Sequence, residues 1–152
     1  STLIISAAEW QESAHGSKPS LNGYRRAHFD LAFEYRTVDF DGDAIGSYAT
    51  FGRTFDLFGD GSGRLAFTPG HSAGHCSVIC RLASADFVIG GDAVYLLGQL
   101  ENRDPLPPRP FDAHMMRRSV QELRLFHAQF PGAVITPGHD PEFYSRIAPR
   151  YE

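Results

Sequence analysis

Residues 68–75 read Thr-Pro-Gly-His-Ser-Ala-Gly-His, a stretch that rules out a helix and demands a tight turn. Pro69 fixes its own φ and biases Thr68 toward extended geometry, while Gly70 and Gly74 let the backbone fold closely around the His71 imidazole. A β-rich run, residues 76–81, follows at once, so the turn presents His71 at the start of a strand. The helical zinc pattern, two histidines four apart with a glutamate between them, does not apply: residue 72 is Ser, and the proline and glycines oppose a helix. Taken alone, His71 reads either as a turn histidine or as a metal ligand aimed by the backbone.

Two further segments share this design. Residues 87–92, Phe-Val-Ile-Gly-Gly-Asp, are an apolar run ending in paired glycines and a carboxylate, and residues 133–140, Ala-Val-Ile-Thr-Pro-Gly-His-Asp, are an apolar run ending in Pro-Gly and a histidine. Strand ends deliver polar side chains to a rim, so His71, Asp92 and His139 form a candidate nitrogen/oxygen site for a borderline metal such as zinc. Singly, Asp92 also reads as a turn former and His139 as a surface-loop histidine.

The 68–75 motif, with Gly91-Asp92-Ala93-Val94-Tyr95 and Gly138-His139-Asp140, resembles the second half of a metallo-β-lactamase-superfamily hydrolase, and most of all the N-acyl homoserine lactonase family. Asp-Ala-x-Tyr is the narrower match to the lactonases, and residues 55–62, Phe-Asp-Leu-Phe-Gly-Asp-Gly-Ser, resemble them too. The similarity runs from about residue 3 to His139. It implies an α/β fold, half of an αββα sandwich, in which His71 binds a first zinc ion, His139 a second, and Asp92 bridges the two; iron, cobalt or manganese would suit the same ligands. Hydroxide generated at that metal pair would open the lactone ring of N-acyl homoserine lactones, the signals of bacterial quorum sensing. Tyr95 would donate a phenol hydrogen bond to the substrate, or else be a packed aromatic with a satisfied hydroxyl. His75 is expected to support the site rather than bind metal. The alternatives are a thioesterase of the glyoxalase II type, an arylesterase, or a chain that by itself is a non-catalytic half.

The resemblance carries one departure. The family's upstream His-x-His-x-Asp-His cluster supplies four metal ligands, and no His-x-His occurs in the 152 residues. The chain opens Ser-Thr-Leu-Ile-Ile-Ser without an initiator methionine, like the family's strand just after that cluster. The expectation is one domain, residues 1–152, forming the C-terminal portion of the fold, with an upstream segment of the same protein completing the site. An incomplete sandwich also favours association, so a homodimer is among the expected partners.

Composition narrows the function classes. With 42% hydrophobic and 21% charged residues and a net charge of −4, the chain has the content of a globular domain and no basic patch for nucleic acid. No apolar stretch approaches the roughly 18 residues of a membrane span, so no membrane partner is expected. Cys76 and Cys80 share one predicted strand, where about 3.3 Å per residue sets their Cα atoms roughly 13 Å apart, beyond the disulfide limit of about 7 Å. Two free thiols fit a reducing compartment, and a cytoplasmic location is expected.

Turn and capping signals give the remaining elements. Strands are expected at residues 3–6, 37–40, 53–57, 65–67, 77–81, 87–90 and 133–136, with a hairpin turn at the glycine-rich residues 59–63. Helices are expected at residues 7–14 and at 113–128, the second capped by Asp112 with Arg117, Arg118 and Arg124 on a solvated face. A polar loop covers 15–23, and residues 24–35 show no clean period. The proline-rich stretch 104–110 reads as a surface linker or a pocket wall, and the aromatics of 29–48 as an acyl pocket or core.

Overall fold

The computed structural model describes residues 2–17 and 23–148. β1 (Thr2–Ser6) pairs in parallel with β2 (Glu34–Val38), and between them run α1 (Ala7–His15) and the one-turn helix α2 (Arg26–Phe29). Ser6 ends the strand and caps the helix: its Oγ accepts from the Glu9 N–H at 3.0 Å and donates to the Gly74 carbonyl at 2.7 Å. The Glu9 carboxylate in turn accepts from the Gly74 N–H at 2.7 Å. The start of α1 therefore grips both polar backbone groups of a residue inside the 68–75 turn.

The main sheet holds β3 (Gly46–Tyr48), β4 (Phe51–Asp56), β5 (Gly63–Phe67), β6 (Cys76–Arg81), β7 (Asp86–Gly91) and β8 (Val134–Pro137) in that spatial order. Neighbours are antiparallel as far as β7, and β8 lies parallel to β7. A parallel pair needs a crossover, and α3 (Ala113–Gln129) provides it. The Asp112 carboxylate caps α3, accepting from the His114 and Met115 N–H groups at 2.8 and 2.9 Å. A short α4 (Pro141–Arg146) follows β8.

Alternation along the strands separates the two faces. Ile79 and Val88 point toward α3 and bury with Phe51, Ile135, Leu123 and Phe126 in the principal core. On the opposite face Val38 and Phe40 pack on Phe67, with the Phe40 and Phe67 rings stacked 4.7 Å apart. Coverage of that second face is partial, with Ile89 45% exposed, and in the separate β1–β2 pair Leu3 and Ile4 are each 41% exposed.

The fold class is the expected α/β one, with differences of detail. β2 begins at Glu34 and ends before Phe40, which is a core residue beyond the strand. The aperiodic segment 24–35 contains α2 and the start of β2, and β3, α4 and a 3-10 turn at Leu97–Gln99 were not anticipated. Arg124, expected on a solvated face, donates from Nε to the Gln99 carbonyl at 2.6 Å. Residues 18–22 of the expected polar loop lie outside the described residues. Cys76 and Cys80 are free thiols, and among the described residues no helix is long and apolar enough to cross a membrane.

Candidate metal centre

Strand order explains why three distant segments meet. Because β6 is antiparallel to β7, the start of β6 lies beside the end of β7; because β8 is parallel to β7, their ends share that same rim. The 68–75 turn precedes β6, Asp92 follows β7 and His139 follows β8, so all three reach one edge. The turn is anchored on α3. The Ser119 hydroxyl donates to the Pro69 carbonyl at 2.7 Å, and Gly70, at φ +129°, passes so close that a Cβ would lie 2.2 Å from the Met116 nitrogen.

At the rim the Asp92 carboxylate lies between two imidazoles. His71 Nε2 is 3.2 Å from Oδ2, and His139 Nε2 is 3.0 Å from Oδ1. The Tyr95 hydroxyl is 3.0 Å from His71 Nδ1, and the Tyr95 ring packs on that of His139 with centroids 4.5 Å apart. All four residues singled out from sequence are thus brought together. His75 stands apart from them, its Nε2 accepting from the Asp92 backbone N–H at 3.1 Å. Burial, reinforced by His71, lowers the His75 pKa; burial and the Asp92 charge raise that of Tyr95.

The donor chemistry suits a divalent metal, since two imidazole nitrogens face the two oxygens of one carboxylate. Each carboxylate oxygen has one imidazole beside it, and among the described residues no three His, Cys, Asp or Glu side chains gather around a single point.

A cavity of about 760 Å³ opens over the centre, lined by His71, Asp92, Tyr24, Arg109 and Phe111 among others. The proline-rich segment is therefore a wall of this cavity, tied to the turn by Phe111 N–H to the His71 carbonyl at 3.3 Å and Asp112 N–H to the Gly70 carbonyl at 3.0 Å. Burial and the Glu9 carboxylate raise the pKa of the Tyr24 phenol in the same wall. Among the aromatics of 29–48, Phe40 belongs to the core, and none lines this cavity.

The supporting roles of two residues escaped the sequence reading. Buried Gln99 accepts the Tyr95 N–H on its Oε1 at 2.7 Å and donates from Nε2 to the Pro105 carbonyl at 2.6 Å. Asp140 caps α4 through the Phe143 N–H at 2.9 Å and accepts the Leu97 N–H at 3.0 Å, joining the loop of Tyr95 to that of His139. The Asp140-Pro141 pair was the available signal for a helix start; nothing in the sequence marks Gln99.

No family model matches the chain. Searches of curated proteins and solved structures do find relatives. An N-acyl homoserine lactonase AttM of Rhizobium johnstonii is 38% identical over 99% of this chain and 54% of its own length, and the AttM lactonase of Azorhizobium caulinodans is 33% identical with the same coverage. The chain is a relative of the N-acyl homoserine lactonases. It spans about half the length of the curated relatives it matches. A γ-lactamase of Gibberella moniliformis is 33% identical over 82% of the chain.

The solved structures agree on the fold. An N-acyl homoserine lactone hydrolase with N-hexanoyl-L-homoserine bound at its catalytic metal centre aligns with all of this chain and 53% of its own, at a TM-score of 0.74 and 21% identity. A β-lactamase-superfamily hydrolase aligns with 93% of the chain at a TM-score of 0.65 and 16% identity. This relative of the lactonases shares its fold with about half of each of these two hydrolases.

Proposed function

We propose that the protein containing this chain hydrolyses the lactone ring of N-acyl homoserine lactones at a pair of divalent metal ions, zinc being the first choice and iron, cobalt or manganese compatible with the same donors. The observation that carries the proposal is the single Asp92 carboxylate set between His71 Nε2 and His139 Nε2, with the Tyr95 hydroxyl against His71. The named lactonase relatives supply the substrate class.

His71 would hold one ion, His139 the other, and Asp92 both. Two protein ligands per ion fall short of the three or four of a stable zinc site, so a segment upstream in the same protein would supply the rest. Metal bound there would provide Lewis acidity and lower the pKa of water toward neutrality.

The chain's own residues then divide the work. With metal on His71 Nε2, Nδ1 would carry the hydrogen and donate it to the Tyr95 oxygen, which lies 3.0 Å away. Tyr95 thus accepts from His71 and keeps its own phenol proton to offer to the lactone as negative charge develops. In the net reaction water adds its oxygen to the carbonyl carbon, the ring C–O bond breaks and the departing alkoxide takes up a proton, leaving an N-acyl homoserine. Arg109 and Phe111 line the cavity that would receive the substrate.

The test is turnover by the full-length metal-loaded protein on a homoserine lactone, a γ-lactam, a glutathione thioester and an aryl ester. Preference for the lactone, abolished by Asp92→Asn and reduced about 10-fold or more by Tyr95→Phe, is expected. Faster turnover of another substrate would overturn the lactonase assignment, and an unchanged Tyr95→Phe rate would remove Tyr95 from the mechanism.

A further inference from the structure

His75 lines the cavity over the candidate centre, and its hydrogen-bond partners determine where its proton lies. The Asp92 backbone N–H can only donate, so His75 Nε2, 3.1 Å away, must present a lone pair. On the other side, His75 Nδ1 is 3.1 Å from the Thr68 carbonyl, which can only accept, so Nδ1 carries the hydrogen. His75 is thereby held as the neutral Nδ1–H tautomer.

The remaining links follow by the same reasoning. The Ser77 hydroxyl donates to the Gly90 carbonyl at 3.2 Å. Its oxygen therefore accepts from the Thr68 hydroxyl, 2.9 Å away, and Thr68 Oγ1, 3.0 Å from His75 Nδ1, shares the single Nδ1 hydrogen with the Thr68 carbonyl. Every hydrogen in the series is assigned. It leaves the main chain at Asp92 N–H, passes through His75, Thr68 and Ser77, and returns at the Gly90 carbonyl. Thr68 and Ser77 are both 0% exposed, so water does not compete for these bonds. Gly90, Gly91 and Asp92 are consecutive, and the circuit clamps this short segment at both ends.

We propose that His75 is a positioning residue that fixes the Asp92 carboxylate at the metal pair by holding the Asp92 backbone through a closed circuit with Thr68, Ser77 and Gly90. This rests on the reading of Asp92 as the ligand shared by both ions. Both ring nitrogens of His75 are engaged, Nε2 with the Asp92 N–H and Nδ1 with Thr68, so although His75 also lines the cavity its effect on the centre passes through the Asp92 main chain.

Two near-isosteric substitutions separate this role from bulk stability. In His75→Gln the side-chain carbonyl can reach the place of Nε2 and accept from Asp92 while the Thr68 link is lost. In His75→Asn the amide can donate at the place of Nδ1, but nothing reaches Asp92. The full-length metal-loaded protein is challenged with a chelator and its metal content followed by elemental analysis, with kcat and KM on a homoserine lactone measured in parallel.

The expected result is metal affinity within about 3-fold of the starting protein for His75→Gln and about 10–100-fold weaker for His75→Asn, with kcat falling and KM little changed. Equal loss in both variants, or no loss in either, overturns the proposal. Should His75→Asn fail to fold, His75→Leu, an apolar replacement that also cannot accept from the Asp92 N–H, takes its place, and unchanged metal retention in that variant overturns it equally. Retention is read without any substrate: a protein that shows the Gln/Asn split but leaves lactones intact refutes the lactonase reading alone, whereas one that binds no metal refutes both.

Discussion

The Cα of Gly138 faces the Asp92 carboxylate so closely that a Cβ added there would lie 2.6 Å from Oδ1 and 2.9 Å from the Gly91 carbonyl oxygen. The residue before His139 thus leaves the space that the Asp92 carboxylate occupies. Gly138→Ala is expected to displace the carboxylate from between the two imidazoles, lowering metal content and lactone turnover by about 10-fold or more while costing the fold about 1–3 kcal/mol. Metal analysis and a thermal melt of the full-length variant check this. Unchanged metal content would mean that Asp92 can sit elsewhere and still bind.

Asp112 links the cavity wall to α3. Its carboxyl pKa lies below the usual carboxylate range, chiefly because it accepts the Met115 N–H, with further help from His114. A folded-state pKa below the unfolded value means that the contribution is present above the unfolded value of about 4 and is lost as pH falls through the folded one. Asp112→Asn keeps the cap without the charge. The melting-temperature advantage of the native protein over Asp112→Asn is expected to shrink as pH drops from 6 to below about 4. A constant difference across that range would assign the cap entirely to neutral hydrogen bonding.

The two cysteines serve as chemical probes of burial. Burial, with Glu9 adding to it, pushes the Cys76 thiol up to about 12. A raised thiol pKa leaves little thiolate at pH 8, and only the thiolate attacks an alkylating reagent. Peptide mapping after iodoacetamide treatment of the folded protein is expected to find Cys76 modified about 100-fold or more slowly than an unhindered thiol, the rate rising about tenfold per pH unit. Rapid labelling at pH 8 would show that the face of β6 carrying Cys76 opens to solvent.

Much of the centre was legible because its residues sit where backbone chemistry writes its own signals. Pro-Gly before His71 and before His139, and Gly-Gly before Asp92, announce strand ends in the sequence itself, and Asp112 before an i, i+3, i+4 apolar pattern announces α3. What could not be read was pairing. Whether the three strand ends share an edge depends on β6 being antiparallel and β8 parallel to β7, a matter of hydrogen bonding between segments far apart in the chain. β3 escaped because three residues, Gly46–Tyr48, carry no period and are held by cross-strand bonds to β4. His75 was expected to support the site, but its partner was hidden for a similar reason: at Nε2 it is a backbone amide, and every residue but proline has one.

The parallel pairing of β7 with β8 also sets an order of assembly. β6 and β7 are neighbours in sequence, so zipping that hairpin sets the 68–75 turn beside Asp92 at the small entropic cost of a short loop. β8 can join only after the chain has run through the proline-rich segment and α3 and returned to the sheet. His71, His75, Asp92 and Tyr95 are therefore expected to come together in a locally folding unit, with His139 joining later through the longer-range pairing of β8.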